Sequence, residues 1–268
     1  MTFADWTTYF RQNQTHLDDL SWDDTYRLTA RERRAVARSL QHFQRGESSE
    51  GKHLYQRVKD TGNTDHVAAI RLFIGEEQGH ARVLGRFLGK QGIACLRQTW
   101  VDDVFRRLRQ WGTFETTIRV LLTAEIIAAV YYRAVFHATY SSLLQQICLR
   151  LLRDEEMHIN FQCFTLVQER RRSSRAGWWL RQQLHRGLMV GTSVLVWLSY
   201  NRTLWAGGMG PVGFAAAVSA EWERAQDMIR QPGSIEIRRQ EPRKTAPRPA
   251  FQFNQARAVA GPMASALR

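Results

Sequence analysis

Apolar residues recur every three or four positions along most of the chain, and alternating strand-like stretches are scarce. That period predicts a nearly all-α protein. A first long helix is expected from Thr29 to Lys59, with the stripe Val36, Leu40, Phe43, Glu47, Glu50, Leu54, Val58. The segment DTGNTD, 60 to 65, is a turn: Gly62 ends one helix, and Thr64 or Asp65 caps the next. A second helix runs from there to about Gln91, with Val67, Ile70, Ile74, Glu77, His80, Ala81, Leu84 and Leu88 on its stripe. A connector holding RQTWVDDVFRRLRQWG follows, with room for a short helix. A third helix is expected over Thr113–Thr139, with Ile118, Leu121, Glu125, Ala129, Tyr132 and Phe136 in line. TYSS, 139 to 142, is the next turn. A fourth helix over Ser142–Arg172 carries Leu144, Ile147, Leu151, Glu155, His158, Gln162 and Thr165. Further helices are expected at 178–200 and 213–229, joined by WAGGMGP, 205 to 211. Residues 1–28 read as an extension with short helical turns at most.

Glutamates and histidines interrupt these stripes where aliphatic residues should continue. Glu47 precedes Glu77 by 30 positions, Glu125 precedes Glu155 by the same 30, and His80 and His158 each follow three residues later. The pattern E-x29-E-x2-H therefore occurs twice. Glu47 and Glu77 lie about 14 residues either side of the first turn, roughly 20 Å from it at 1.5 Å per residue. An antiparallel hairpin brings them level, and Glu125 and Glu155 level about the second turn. Two hairpins packed face to face gather four carboxylates and two imidazoles in the bundle core. Four buried like charges would repel and take up protons unless cations balance them. Two divalent ions would do so, and a carboxylate-rich set with two imidazoles suits iron or manganese better than structural zinc. Two Fe ions are expected, with Mn/Fe or Mn as alternatives. Glu50, one turn beyond Glu47, is either an extra carboxylate or the ligand in place of Glu47. The competing assignment is that the stripe is misphased and these residues are exposed.

At these residues the chain resembles the ferritin-like di-iron carboxylate superfamily, in which two helices each give a Glu and two each give Glu-x-x-His. EEQGH, 76 to 80, and DEEMH, 154 to 158, are similar to the paired motifs of acyl-carrier-protein desaturases and related oxygenases. The helical period places a C-terminal helical extension over 176–231, and charge with proline content a disordered basic tail from 232 to 268; the resemblance implies a ferritin-like four-helix bundle over 29–175. It also implies that Asp154 binds the free ring nitrogen of His80, and Glu76 that of His158. The implied activity is O2-dependent oxidation of a small-molecule or carrier-bound organic substrate, with an unidentified electron donor. Ferroxidase action, rubrerythrin-like peroxidase chemistry and a non-catalytic metal-bound interaction protein are the alternatives. Rubrerythrins carry a four-cysteine iron domain, which three isolated cysteines do not provide; ferritins are shorter than this chain. A homodimer is compatible with the resemblance.

Composition changes this picture little. The net charge is +13; residues 228–268 contribute +6, leaving +7 for residues 1–227. That surplus could favour an acidic partner, but it reads first as a basic surface, and nucleic acid is not expected. Cys95, Cys148 and Cys163 form no CxxC pair, so no disulfide framework or zinc knuckle is suggested, and a reducing cytoplasm fits. The longest apolar run, GLMVGTSVLVWLSY, is shorter than the roughly 20 residues that span a bilayer.

Overall fold

A computed structural model describes residues 1–48, 51–98, 113–171 and 173–237. The expected connector helix, Glu50 and the tail beyond 237 lie outside the described residues. Eight α-helices are described: α1 Phe3–Asn13, α2 Ala30–Glu47, α3 Lys52–Lys59, α4 Thr64–Lys90, α5 Phe114–His137, α6 Ser142–Arg170, α7 Arg175–Ala206 and α8 Pro211–Arg230. A single 3₁₀ turn, Pro232–Ser234, follows. No strand occurs among the described residues.

Helices α2 and α3 pair with α4 to make one hairpin, and α5 pairs with α6 along its length to make the other. Helix α1 lies on α4, α7 covers α5 and α2, and α8 covers α6 and α5. The turns are capped where the sequence supplies short polar side chains. The Asn63 side chain accepts from His66 N, and that of Ser141 from Leu144 N. Glu32 closes the capping box at Thr29 and also accepts from Tyr140 N, so the start of α2 holds the α5–α6 turn in place.

The first expected helix is broken. α2 ends at Glu47, and α3 begins after Gly51, whose φ of +61° suits glycine. A Cβ there would also lie 2.5 Å from Ile74. The apolar stripe survives the break: Val36 and Leu40 before it, and Leu54 and Val58 after it, are all buried. The residues read as a loosely turned extension form α1. Thr2 and Asp5 make a capping box, and Trp6, Phe10 and Asn13 bury one face. At the other end Ile235 is buried and Asn160 donates to the Glu236 carbonyl, so chain just past residue 232 packs on the bundle.

Two apolar layers result. One holds Trp6, Phe10, Phe73, Ile118 and Phe161; the other holds Leu40, Leu84, Phe87, Tyr131 and Leu144. Along α4 the first layer runs to Phe73 and the second begins at Val83. The histidine and carboxylates of 76–80 fall between them. On α6, Asp154, Glu155 and His158 lie between Leu151 of the second layer and Ile159 of the first, to which Met157 also belongs. On α4 and α6 the polar positions therefore form a slab between two hydrocarbon layers.

Candidate metal centre

Each helix delivers its polar residue to this slab. Glu47 comes from the last turn of α2, Glu77 and His80 from α4, Glu125 from α5, and Glu155 and His158 from α6. Glu77, Glu125, Glu155 and His158 offer ligand atoms all within 4.8 Å of one another, and so do Glu47, Glu77 and His80. Glu77 belongs to both groups. His158 Nδ1 lies 3.0 Å from Glu77, 3.6 Å from Glu125 and 3.7 Å from Glu155. His80 Nδ1 lies 3.7 Å from both Glu77 and Glu155. All six sequence-predicted residues are thus brought together, and five are buried; Glu77 is partly exposed.

The far side of each imidazole is anchored. His80 Nε2 donates to Asp154 Oδ2 at 2.9 Å, and His158 Nε2 donates to Glu76 Oε2 at 2.9 Å. With the proton on Nε2, each Nδ1 keeps its lone pair and points it at the carboxylates. Neither Nδ1 has a hydrogen-bond partner, nor do Glu77 Oε1 or the two Glu155 oxygens, though all are buried. Such orphaned acceptors are costly. Their convergence is what a pair of divalent cations would satisfy.

The electrostatics agree. Burial, then the charge of Glu77, pushes the Glu47 carboxyl well above the usual carboxylate range. Burial and Glu125 do the same to Glu155 and, less strongly, to Glu77. Burial alone would depress the His158 pKa, but four surrounding carboxylates raise it well above its ordinary value. Without cations the carboxylates can be balanced only by protons, one of them on His158 Nδ1, where a bound cation would take its place. Tyr132 donates to Glu47 at 2.9 Å and holds its one anchored oxygen.

Two partners from the N-terminal segment were not anticipated. Asn13 Nδ2 bridges Asp154 Oδ1, at 3.1 Å, and Glu76 Oε1. His16 Nε2 donates to Asp154 Oδ2 at 2.6 Å while its Nδ1 meets the Asn13 carbonyl at 2.5 Å. Both ring nitrogens face acceptors, which suits the imidazolium form. Burial pulls the His16 pKa down, but Asp154 more than offsets it and the pKa rises. Burial likewise opposes ionisation of Asp154, and the two histidines drive its pKa far below the usual range. The missed signal was the Thr2-x-x-Asp5 cap followed by Trp6, Phe10 and Asn13 at helical spacing.

Two cavities border the slab. A small one of about 80 Å³ reaches Glu47 and Glu77 between walls of Leu54, Phe73, Ile74 and Leu121, with Lys52 and His53 at its rim. A cleft of about 560 Å³ lies outside Glu76, between His16, Trp22, Arg82 and Arg86. Gly75 and Gly79 line this outer cleft and not the ligand side.

Comparison with solved structures finds an R2-like ligand-binding oxidase, a mutant with an anaerobically reconstituted Mn/Fe cofactor. It is 15% identical, with a TM-score of 0.57, and the match covers 86% of this chain and 93% of that one. The chain has the ferritin-like fold. Within it, the hairpins α2/α3–α4 and α5–α6 supply the four-helix bundle, and α1, α7 and α8 are packed around it. No known sequence family and no curated protein matches the chain.

Proposed function

We propose that this ferritin-like protein is a di-metal oxidase that uses O2 to oxidise an organic substrate. Glu47, Glu77, His80, Glu125, Glu155 and His158 hold two iron ions, or a Mn/Fe or Mn pair. When bound, such a pair supplies reductive activation of O2, which these side chains alone cannot perform. The observation that carries this reading is the pair of orphaned Nδ1 lone pairs facing four carboxylates, with both Nε2 protons fixed on Asp154 and Glu76. The resemblance of the fold to an oxidase with a Mn/Fe cofactor supports the same reading.

The chain's own residues would do three things. Asp154 and Glu76 keep the imidazoles in the ligating tautomer and raise their basicity. The two hydrocarbon layers exclude water and strengthen every charge interaction in the slab. The pocket at Glu47 and Glu77 admits an apolar part of a substrate, since Leu54, Phe73, Ile74 and Leu121 face it. Its small volume suits a few carbon atoms beside the metals.

The test loads the protein anaerobically with two equivalents of Fe²⁺, then mixes it with O2 and a panel of apolar and polar organic compounds. O2 uptake that accelerates with one compound, with two ferric ions retained per chain, is the expected outcome. Continued uptake of excess Fe²⁺ into a large soluble ferric core would replace this reading with ferroxidase and storage.

A further inference from the structure

The cleft outside Glu76 has no part in the metal chemistry. It holds about 560 Å³, within the range of small-molecule sites, and lies between α4 and residues 14–22. Its floor is one face of α4: Gly75, Gly79, Arg82 and Arg86 follow at spacings of four, three and four. Glycine inside a helix costs about 0.5–1 kcal/mol relative to alanine. Packing within the chain calls for neither one. A Cβ at Gly75 would meet nothing within 4 Å, and one at Gly79 would make only ordinary contact with Leu17, at 3.4 Å. The two leave a bare stretch of backbone, bordered by the apolar side chains of Phe10, Leu17 and Leu72.

The charges at this cleft are unevenly committed. Glu76 accepts from His158 and Asn13, and the ring nitrogens of His16 face Asp154 and the Asn13 carbonyl. Arg82 and Arg86 have no acidic partner among the described residues, not even Asp18, which lines the same cleft. Arg86 is nonetheless held in place. Its guanidinium lies over the Trp22 ring, 4.0 Å from the centroid, and Lys90 ties the Trp22 carbonyl back to α4 at 2.9 Å. Stacking occupies the guanidinium face and leaves its N–H edge free for an oxyanion. Arg82 folds back over the floor: its Nη2 lies 3.6 Å from where a Gly79 Cβ would be. Two guanidinium groups one helical turn apart repel, and a doubly charged oxyanion between them would cancel that repulsion. A phosphate monoester carries both charges on one group, where a carboxylate carries one.

We propose that this cleft binds the phosphate monoester of a small organic molecule, its phosphate on Arg82 and Arg86 and its apolar part on the helix surface at Gly75 and Gly79. The proposal stands whether or not the slab holds metal. The test titrates the full-length chain with phenyl phosphate, inorganic phosphate and phenylacetate by isothermal titration calorimetry. A pH of about 7.5 lies above the second phosphate pKa of about 6, and about 0.15 M salt screens distant surface charges. One phenyl phosphate per chain is expected, bound more tightly than either other probe. Arg82→Ala/Arg86→Ala should weaken it at least about tenfold, the loss of one charge-assisted hydrogen bond, and Arg82→Gln/Arg86→Gln should do the same. Arg31→Ala/Arg34→Ala, which removes equal charge from α2, should not. Gly75→Leu, which fills the floor, should weaken phenyl phosphate and spare inorganic phosphate. Glu77→Ala should bind as the wild type does, which separates this site from the metal centre. Circular dichroism melting checks the fold of each variant. Absence of binding would overturn the proposal. So would equal losses in the α2 and α4 double variants, which mark attraction to net positive charge alone. Phenylacetate binding as tightly as phenyl phosphate would make this a carboxylate site, and inorganic phosphate binding as tightly would remove the organic part; either result contradicts the proposal.

Discussion

Replacing Asp154 by Asn tests whether the far side of the histidines controls metal binding. Asp154 accepts three hydrogen bonds: from His80 and His16 on Oδ2, at 2.9 and 2.6 Å, and from Asn13 on Oδ1, at 3.1 Å. The amide keeps one acceptor oxygen and turns two N–H donors toward groups that are themselves donors. Whichever way it flips, at least one of His80, His16 and Asn13 faces a donor. A charge-assisted bond is worth about 1.5–3 kcal/mol, and losing the acceptor leaves a buried donor unsatisfied. Even with the amide oxygen turned to His80, the negative charge that holds its tautomer and raises its basicity is gone, and loss of such an outer partner lowers metal affinity about 10–100-fold. That corresponds to roughly 1.4–2.8 kcal/mol, since each tenfold is 1.4 kcal/mol. The assay is anaerobic titration of the metal-free protein with Mn²⁺ or Fe²⁺ against a competing chelator. Asn13→Ala should show a smaller loss in the same direction, because it leaves both His–carboxylate bonds intact but unties Asp154 from Glu76. Wild-type affinity in Asp154→Asn, with the fold retained, would refute the reasoning.

Other perturbations have defined signs. Gly51→Ala places a Cβ at φ +61° and against Ile74; it should cost at least about 1–2 kcal/mol in chemical denaturation, the usual penalty for a left-handed non-glycine residue. His185 accepts from Arg119 and faces Thr123, and burial followed by the Arg119 charge lowers its pKa to about 3 from 6.5. Below pH 6.5 the unfolded imidazole takes a proton that the native one refuses, so this contribution to stability is present above 6.5 and declines toward pH 3. His185→Gln should accordingly lose less melting temperature between pH 7.5 and 5 than the wild type. Truncation after residue 237 should leave folding intact, because the segment beyond is rich in Arg and Pro. Truncation after 231 removes buried Ile235 and should lower the melting temperature.

The bundle and its six ligand candidates were legible because two signals coincided. Helical periodicity located the stripes, and the turns at 60–65 and 139–142 set the registers that level Glu47 with Glu77 and Glu125 with Glu155. The contacts of Asp154 with His80 and of Glu76 with His158 were expected only through the family resemblance; neighbours in sequence say nothing about which opposite histidine they meet. The break at Gly51 stayed hidden because Leu54 and Val58 continue the stripe of Val36 and Leu40 across it. Ser48 and Gly51 were the local signs of a helix end. Asn13 and His16 were hidden because α1 is short, and a single helical turn of aromatics reads as surface until it is seen against Phe73 and Phe161. Ile235 was taken as part of a charged tail, since one apolar residue makes no stripe.

The central claim, a two-metal site built from these six residues, is tested most directly by counting metal. Purified protein, depleted and then loaded anaerobically with Fe²⁺ or Mn²⁺, is desalted and measured by inductively coupled plasma mass spectrometry. About two ions per chain are expected in the wild type, as the six ligands and four carboxylate charges imply. Glu77→Ala, which removes the residue shared by both groups, should bind fewer than one, and Glu155→Ala should also fall well short of two. Full occupancy in both variants, or no bound metal in the wild type, would contradict the account.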